Sequence, residues 1–346
     1  MVFSTMNYYS TFVPGLLEPV QHALTQTLPD CRVHLTLDGL IAYESNANLE
    51  EVRALPFVTN TFHILKSFPR QPGRTIRNMA LQILSDRALS IKIVPPLERS
   101  GTFRVITSLA NQLVPLDEAI MRDLEKRITA RTDLVPNRSK PDHEIWLLQR
   151  TEGHGFFSVR MSRHKAYDKL LQKGELRPEL ANVLCRLSEP RADELFLDPF
   201  CGSGAIPIQR ASFAKGLIIA SDNNQQKIDL LKQRVKDLDL KKRIVVRCEN
   251  ALDLGRYGAG SIHKIVTDPP WGHFEATDVP LEEFYDRMVA EFARLLVQQG
   301  RLVVVTAQTA AFEAAAGKVA SQLDMIERFN ILLSGKKAVV YVLVRK

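Results

Sequence analysis

The pattern of apolar and polar positions changes along the chain. In residues 8–65, alternating runs such as Arg32–Leu37 predict half-exposed strands. Asp38-Gly39 is typical of the two-residue turn of a β-hairpin. With one helical segment before this hairpin and another after it, the order β-α-β-β-α-β predicts a small ferredoxin-like unit over residues 1–68.

Residues 69–165 begin with a linker-like segment, Pro69–Gly73. After it, segments with the apolar spacing of a helix are interspersed with segments typical of strands. Helical spacing occurs around residues 76–89 and 117–130, whereas residues 103–107, 144–149 and 156–161 have the composition of strands. This part of the chain is therefore predicted to form a second unit of mixed α and β structure.

From residue 179 onward, short and almost wholly apolar runs alternate with helical segments. The runs lie at 195–198, 217–221, 244–247, 262–267 and 302–306. Such runs are typical of parallel strands that helices cover on both faces. Residues 329–344 read as a hairpin that adds an antiparallel edge, so residues 166–346 are predicted to form an α/β domain with a mostly parallel sheet.

The composition, 45% hydrophobic and 25% charged residues, is that of an ordinary globular protein. The four cysteines, at 31, 185, 201 and 248, are widely separated and lack metal-type spacing. The N-terminal residues lack the basic region of a signal peptide, and no apolar run has the length of a membrane span. We therefore expect a cytoplasmic protein with reduced thiols, without a metal and without a membrane segment.

The net charge of +7 is unevenly distributed. Residues 51–173 contain 21 basic and 12 acidic residues, whereas residues 1–50 are net acidic and residues 174–346 are nearly balanced. A basic segment in a balanced protein favours a polyanionic partner such as RNA. Charge alone is equally compatible with a solvated basic surface.

A glycine-containing loop, Asp198-Pro-Phe-Cys-Gly-Ser-Gly204, joins a predicted strand to a predicted helix. Glycines let a ligand approach the backbone closely, and helix N-termini favour acceptor groups. No Gly-Lys-Ser/Thr follows, so this is not a phosphate loop, and Pro207 replaces the third glycine of the dinucleotide-binding pattern. By itself the loop would favour a plain tight βα turn over a ligand site.

Acidic and amide residues follow the next predicted strands. Asp222 ends a strand about twenty residues after the glycine loop, where an acid can accept hydrogen bonds from ribose hydroxyls. Asn250 and Asp253 follow the third strand, where an adenine edge would lie. Because the carboxyl ends of parallel strands share one rim, these side chains should meet at a single crevice.

The fourth strand runs into Thr267-Asp-Pro-Pro-Trp-Gly272. Two prolines cannot donate to a strand ladder, so the strand must end there with a rigid backbone. Asp268 can accept N–H bonds from a planar exocyclic amine, and Trp271 can stack on the ring that carries it.

These residues resemble class I S-adenosylmethionine-dependent methyltransferases that act on amino groups, whose signature is Asp/Asn-Pro-Pro-aromatic. The combination of DPFCGSG (198–204), SDNN (221–224) and TDPPWG (267–272) is similar to the THUMP-domain family of RNA guanosine N2-methyltransferases. Residues 173–181 and the layout of the first half also fit. The resemblance implies a ferredoxin-like domain over 1–68, a THUMP domain over 69–165 and a Rossmann-like methyltransferase domain over 166–346.

The resemblance also implies roles for individual residues. It assigns to S-adenosylmethionine Asp198, Phe200, Gly202, Ser203, Gly204, Asp222, Asn223, Asn250, Ala251 and Asp253. It assigns to the reacting amine Asp268, Pro269, Pro270 and Trp271. Two departures stand out: Asn250 replaces a common Asp, so that Asp253 is a rival for the adenine, and Trp271 stands where many members have Tyr or Phe.

The sequence hypothesis is therefore methylation of guanine N2 in RNA, with tRNA and its acceptor stem as the expected substrate. The basic segment 51–173 would hold RNA by its backbone and shape, and the base would be flipped into the crevice. Alternatives are adenine-N6 methylation, rRNA guanine-N2 methylation, methylation of a protein amide, and a tRNA-binding homologue without catalysis. A nicotinamide dehydrogenase is disfavoured by the missing third glycine.

Overall fold

The computed structural model describes residues 6–87, 89, 101–162, 175–272, 279–333 and 335–346. The chain divides into two compact units. The first comprises Met1–Thr11 and Leu24–His164, and the second comprises Phe12–Ala23 and Lys165–Lys346. The finer division at residues 68/69 and 165/166 stays a prediction. No helix of the described ranges is long and apolar enough to cross a membrane.

The first half of the chain follows the predicted order of elements, with two additional short strands, β6 and β7. Its strands are β1 (Met6–Thr11), β2 (Arg32–Leu37), β3 (Leu40–Ser45), β4 (Asn60–Phe68), β5 (Gly101–Leu109), β6 (Gln112–Leu113), β7 (Leu134–Pro136), β8 (His143–Gln149) and β9 (Gly155–Arg160). Its helices are α1 (Leu17–Thr27), α2 (Leu49–Arg53), α3 (Ile76–Ser85) and α4 (Glu118–Thr132).

One sheet connects these strands in the order β2-β3-β1-β4-β9-β8-β5-β6, and β7 pairs with β5. The antiparallel order β2-β3-β1-β4 is that of a ferredoxin-like unit, as predicted. Asn48 caps α2 through a capping box with Glu51. Because β4 pairs with β9, the sheet continues without a break from the predicted first domain into the predicted second.

Helices α3 and α4 contribute to the core of the first unit. Their buried residues pack with apolar residues of β5, β8 and β9, including Phe103, Ile145, Leu147, Phe157 and Val159. Burial of apolar surface contributes ~25 cal/mol per Å² to the free energy of folding, so this cluster stabilises this half of the sheet.

The second unit alternates strands and helices. Its strands are β10 (Glu194–Asp198), β11 (Gly216–Asp222), β12 (Ile244–Cys248), β13 (Ile262–Thr267), β14 (Leu296–Thr306), β15 (Leu323–Leu333) and β16 (Lys336–Arg345). Its helices are α5 (Pro178–Leu187), α6 (Ala205–Arg210), α7 (Gln225–Asp237), α8 (Leu281–Leu295) and α9 (Thr309–Lys318).

The sheet order is β12-β11-β10-β13-β14-β16-β15, and the first five strands are parallel. The predicted Rossmann-like architecture with an antiparallel C-terminal hairpin is thus confirmed. The hairpin adds an antiparallel edge beyond β14 as predicted, and within it β16 lies between β14 and β15. The order of these two strands follows from their side chains. Ala338–Leu343 of β16 is apolar and buried, whereas β15 is mostly exposed and occupies the edge.

Candidate functional site

The site lies at the carboxyl ends of four parallel strands. From β10 the sheet continues to β11 and β12 on one side and to β13 on the other, so the direction of winding reverses between β10 and β13. Ligands of open parallel sheets bind at such a switch point. The fold therefore brings the ends of β10, β11, β12 and β13 to one rim, as the sequence predicted, with Asp198, Asp222, Asn250 and Asp268 at or just beyond them.

Asp198 ends β10 and is almost completely buried. Its Oδ1 accepts a hydrogen bond from the Thr267 hydroxyl at 2.8 Å and another from the Phe200 backbone N–H at 3.3 Å. Its Oδ2 is buried and has no hydrogen-bond partner among the described residues. Burial raises the pKa of Asp198 well above its ordinary value of 3.8, and the charges of Asp222 and Asp268 act in the same direction.

The two glycines of the loop serve different purposes. Gly202 has φ +51°, and a Cβ there would meet no atom of the described chain within 4 Å, so its backbone borders open space. Gly204 has φ +100°, and a Cβ there would lie 2.2 Å from Leu231 Cδ1 of α7. Gly202 therefore leaves room for a ligand, whereas Gly204 leaves room for the helix that supports the loop.

Further contacts fix the loop to its surroundings. Ser203 is buried, and its backbone oxygen accepts a hydrogen bond from Arg234 of α7 at 3.0 Å. Arg234 also forms an ion pair with Glu175 at 3.4 Å. The half-buried Phe200 ring lies 5.7 Å from the Phe284 ring of α8. Glu175 belongs to the family-like segment 173–181, of which residues 173 and 174 lie outside the described residues.

Asp222 ends β11 as predicted, and it is largely buried. One carboxylate oxygen accepts the Gly202 backbone N–H at 3.0 Å, and the other accepts the Asn224 backbone N–H at 2.9 Å. The carboxylate is thereby held between the glycine loop and the start of α7. Each oxygen can accept a second hydrogen bond, so both remain capable of binding a hydroxyl. Asn223 beside it is exposed.

The turn after β12 contains the other predicted cofactor residues. Asn250 and Asp253 are exposed, whereas Ala251 is buried beneath the turn. The Asn250 Oδ1 accepts the Leu252 backbone N–H at 2.9 Å, which fixes the orientation of this amide. Asp253 donates its backbone N–H to the Asn250 carbonyl at 3.0 Å. Both side chains thus stand at one end of the rim.

The segment after β13 is held by contacts that the sequence did not predict. The Tyr285 hydroxyl of α8 donates to the Pro270 carbonyl at 3.1 Å, and the Gln308 Nε2 donates to the Trp271 carbonyl at 2.5 Å. Tyr285 also bonds the Thr306 hydroxyl at 2.6 Å. Thr306 and Gln308 lie at or just after the end of β14, so the strand-end rule could have indicated them. Tyr285 lies within a helix and carries no such signal.

The side chains of this segment are also linked to each other. The Trp271 indole N–H donates to the Asp268 Oδ1 at 2.9 Å. Pro269 is buried, and Asp268, Pro270 and Trp271 are half-buried. The segment therefore presents a carboxylate whose orientation is fixed by the neighbouring ring and whose backbone is anchored by α8 and by the residues after β14.

Residues 165–338 match the protein family described as the RMKL-like methyltransferase domain. The chain belongs to this family. The match covers half of the chain and includes the ends of β10 to β13 with all of the residues predicted for the site.

Curated relatives of this RMKL-like methyltransferase chain include tRNA methyltransferases. The tRNA (guanine(6)-N2)-methyltransferase of Methanocaldococcus jannaschii is 23% identical over 218 residues, which are 52% of this chain and 56% of that protein. The human tRNA (guanine(6)-N(2))-methyltransferase THUMP3 is 28% identical over 182 residues, 49% of this chain and 36% of that protein. The matched region therefore spans about half the length of the first and about a third of the second.

Solved structures share the fold of the RMKL-like methyltransferase chain over nearly its full length. TrmN from Thermus thermophilus aligns with a TM-score of 0.80 and 20% identity, covering 99% of this chain and 100% of that one. SMU.472, described as a putative methyltransferase complexed with SAH, aligns with a TM-score of 0.73 and 14% identity, covering 98% and 97% of the two chains. These likenesses confirm the predicted α/β fold class.

Proposed function

We propose that the protein transfers a methyl group from S-adenosylmethionine to the exocyclic N2 of a guanosine in the acceptor stem of tRNA. The observation that carries this proposal is the placement of the Asp268–Trp271 segment at the same switch point as the glycine loop and Asp222. The names of the relatives, which act on guanine N2 of tRNA, support the choice of base and of RNA.

The residues of the rim fit S-adenosylmethionine. The unpartnered Asp198 Oδ2 suits the cationic methionine end, and the open space at Gly202 leaves room for it. The Asp222 carboxylate can accept the ribose hydroxyls, and Asn250 and Asp253 stand where the adenine edge would lie. When bound, the cofactor supplies a methyl group activated by a sulfonium. Phe200, Ser203, Asn223 and Ala251 complete the proposed site.

The Asp268 segment would orient the amine. An exocyclic amine delocalises its lone pair into the ring, and acceptors aimed at both N–H groups help to redirect that pair at an electrophile. We assign one N–H to the Asp268 carboxylate. We assign the other N–H to a proline carbonyl of the segment, and we favour that of Pro269 because the Pro270 carbonyl already shares one of its two acceptor positions with the Tyr285 hydroxyl. The proton of the product would leave through Asp268 or water.

Cofactor binding should depend on pH through Asp198. A cation beside this carboxyl favours its ionised form, so binding should lower its pKa and release a proton. Because the pKa is raised in the free protein, the affinity for S-adenosylmethionine should increase as pH rises from the lower pKa of the complex toward the raised pKa of the free protein, and then level off. Isothermal titration in buffers of different ionisation enthalpy measures the proton release.

Asp198→Asn is the control for this prediction, because an amide cannot titrate in this range. The variant should bind the cofactor more weakly and with no proton release in the same pH window. The assignment fails if the wild-type protein binds without pH dependence, or if the variant keeps the wild-type dependence.

We further propose that the first unit holds RNA through the basic segment 51–173. Three exposed arginines, Arg77 on α3 and Arg122 and Arg131 on α4, form no ion pair within the described ranges. By contrast, Arg104 and Arg160 are both paired with Glu144 in the sheet. The exposed arginines are therefore the candidates for phosphate contacts, in the part of the chain that we propose to be a THUMP domain.

Arg77→Ala combined with Arg122→Ala should weaken tRNA binding and flatten its salt dependence. Each lost phosphate contact should reduce the slope of log affinity against log salt by ~0.7–0.9. Filter binding over a salt series measures both quantities. Lys236→Ala combined with Lys242→Ala removes the same charge from exposed sites in the second unit and is the matched control. If both double variants lost the same tRNA affinity and salt dependence, the net charge of the protein and not this surface would hold the RNA.

A cytoplasmic location also belongs to the proposal. It is supported by the substrate, tRNA, and by the four cysteines, which are all free thiols.

A further inference from the structure

The bond between the Trp271 indole and the Asp268 carboxylate depends on a donor in the ring. Tryptophan donates from its indole nitrogen and cannot accept there, whereas phenylalanine has no donor at all. A bond from an N–H group to an ionised carboxylate is charge-assisted and stronger than a neutral one. The distance of 2.9 Å between Nε1 and Oδ1 is that of a well-formed bond.

The surroundings keep both partners of this bond in place. The Trp271 carbonyl accepts from Gln308, and the preceding carbonyl, that of Pro270, accepts from Tyr285. Gln308 is itself ordered by a bond from its backbone N–H to the Thr306 hydroxyl at 3.0 Å. These contacts fix the backbone at Pro270 and Trp271 and hold the indole ring against the Asp268 Oδ1. A ring tethered in this way cannot turn freely to follow a base.

We propose that Trp271 is a positioning residue, which holds the Asp268 carboxylate by its Oδ1 in the orientation that receives the amine of the target base. The inference rests on the proposed function. It differs from the sequence hypothesis, in which Trp271 stacks on the ring of the target base. Loss of the indole N–H should therefore slow the chemical step, whereas loss of stacking alone should weaken binding of the base.

Trp271→Phe separates these roles, because it keeps an aromatic ring and removes the donor. We expect the single-turnover rate at saturating tRNA and cofactor to fall roughly tenfold or more, while the dissociation constants of both ligands change by less than about twofold. Trp146→Phe is the matched control. Trp146 is the other tryptophan, and its indole N–H bonds Glu144 in the first unit, so this change should leave the rate unaltered.

The bond itself can be observed without any reaction. In protein labelled with ¹⁵N-tryptophan, two indole N–H resonances are expected, and Trp146→Phe identifies that of Trp271. Asp268→Ala should move the Trp271 resonance upfield and accelerate its exchange with solvent, while the Trp146 resonance serves as an internal control for folding.

The outcomes distinguish this inference from the proposed function. A Trp271 resonance that does not respond to Asp268→Ala shows that the bond is absent and overturns the inference, whatever the activity. A rate for Trp271→Phe within about twofold of the wild type, or a loss confined to RNA affinity, overturns the positioning role and leaves the proposed function intact. A wild-type protein without methyl transfer refutes the proposed function itself.

Discussion

Asp268→Ala should abolish methyl transfer while the protein still binds S-adenosylmethionine and tRNA. Asp268 is proposed to act on the amine alone, and removal of one oriented group that stabilises developing charge typically costs ~100–1000-fold in rate. The bond to Trp271 would be lost as well, so the ring would no longer be fixed beside the site. Single-turnover methyl transfer at saturating RNA, with binding of both ligands measured in parallel, tests this expectation.

Asp237→Ala is a suitable control for that experiment. Asp237 is an exposed carboxylate at the end of α7, and its removal changes the net charge by the same amount. A near-normal single-turnover rate for Asp268→Ala would contradict the catalytic assignment. Loss of cofactor or tRNA binding in the same variant would show instead that Asp268 supports the structure of the site.

Asp222→Ala should weaken S-adenosylmethionine binding by roughly tenfold or more, since a charged hydrogen-bond acceptor typically contributes ~1.5–3 kcal/mol. The substitution would remove the acceptor for the ribose hydroxyls. It would also remove the bonds from the Gly202 and Asn224 backbone N–H groups, so the loop that lines the site would be less firmly held. The affinity for tRNA should change little, because the basic segment lies elsewhere in the chain. Calorimetric titration of a variant whose folding has been verified measures the effect.

Asp222→Asn helps to separate the two contributions of this residue. Its amide keeps one acceptor oxygen, but its NH2 group would face one of the two backbone donors. We therefore expect an affinity no better than that of the wild type and a lower thermal stability. Unchanged cofactor affinity in folded Asp222→Ala protein would rule out the ribose assignment.

The sequence was sufficient to predict the parallel sheet and its rim, because strand-end acids such as Asp198 and Asp222 directly follow apolar runs. The expected strand 217–221 is observed as Gly216–Asp222. The order of β15 and β16 was not predictable from the hairpin signal alone, since burial of β16 and not chain order decides which strand lies inside. The additional strands β6 and β7 are too short to give a periodic signal.

The contacts that fix the site were mostly beyond sequence reasoning. Tyr285 approaches Pro270 only because α8 packs beside the strand ends, and no spacing rule connects residues so far apart. That Trp271 stacks on a base stays a prediction, and the bond from its indole N–H to Asp268 was not expected from the sequence. Rotamers of this kind depend on packing in three dimensions, so composition and periodicity do not encode them.

The central claim is tested most directly by identifying the methylated nucleoside. Purified protein is incubated with unmodified tRNA and S-adenosylmethionine labelled in its methyl group, and the RNA is then digested to nucleosides and analysed by mass spectrometry. We predict label in N2-methylguanosine, located in the acceptor stem by partial digestion. Label in N6-methyladenosine, or no labelled nucleoside from a protein that binds both ligands, would contradict the account.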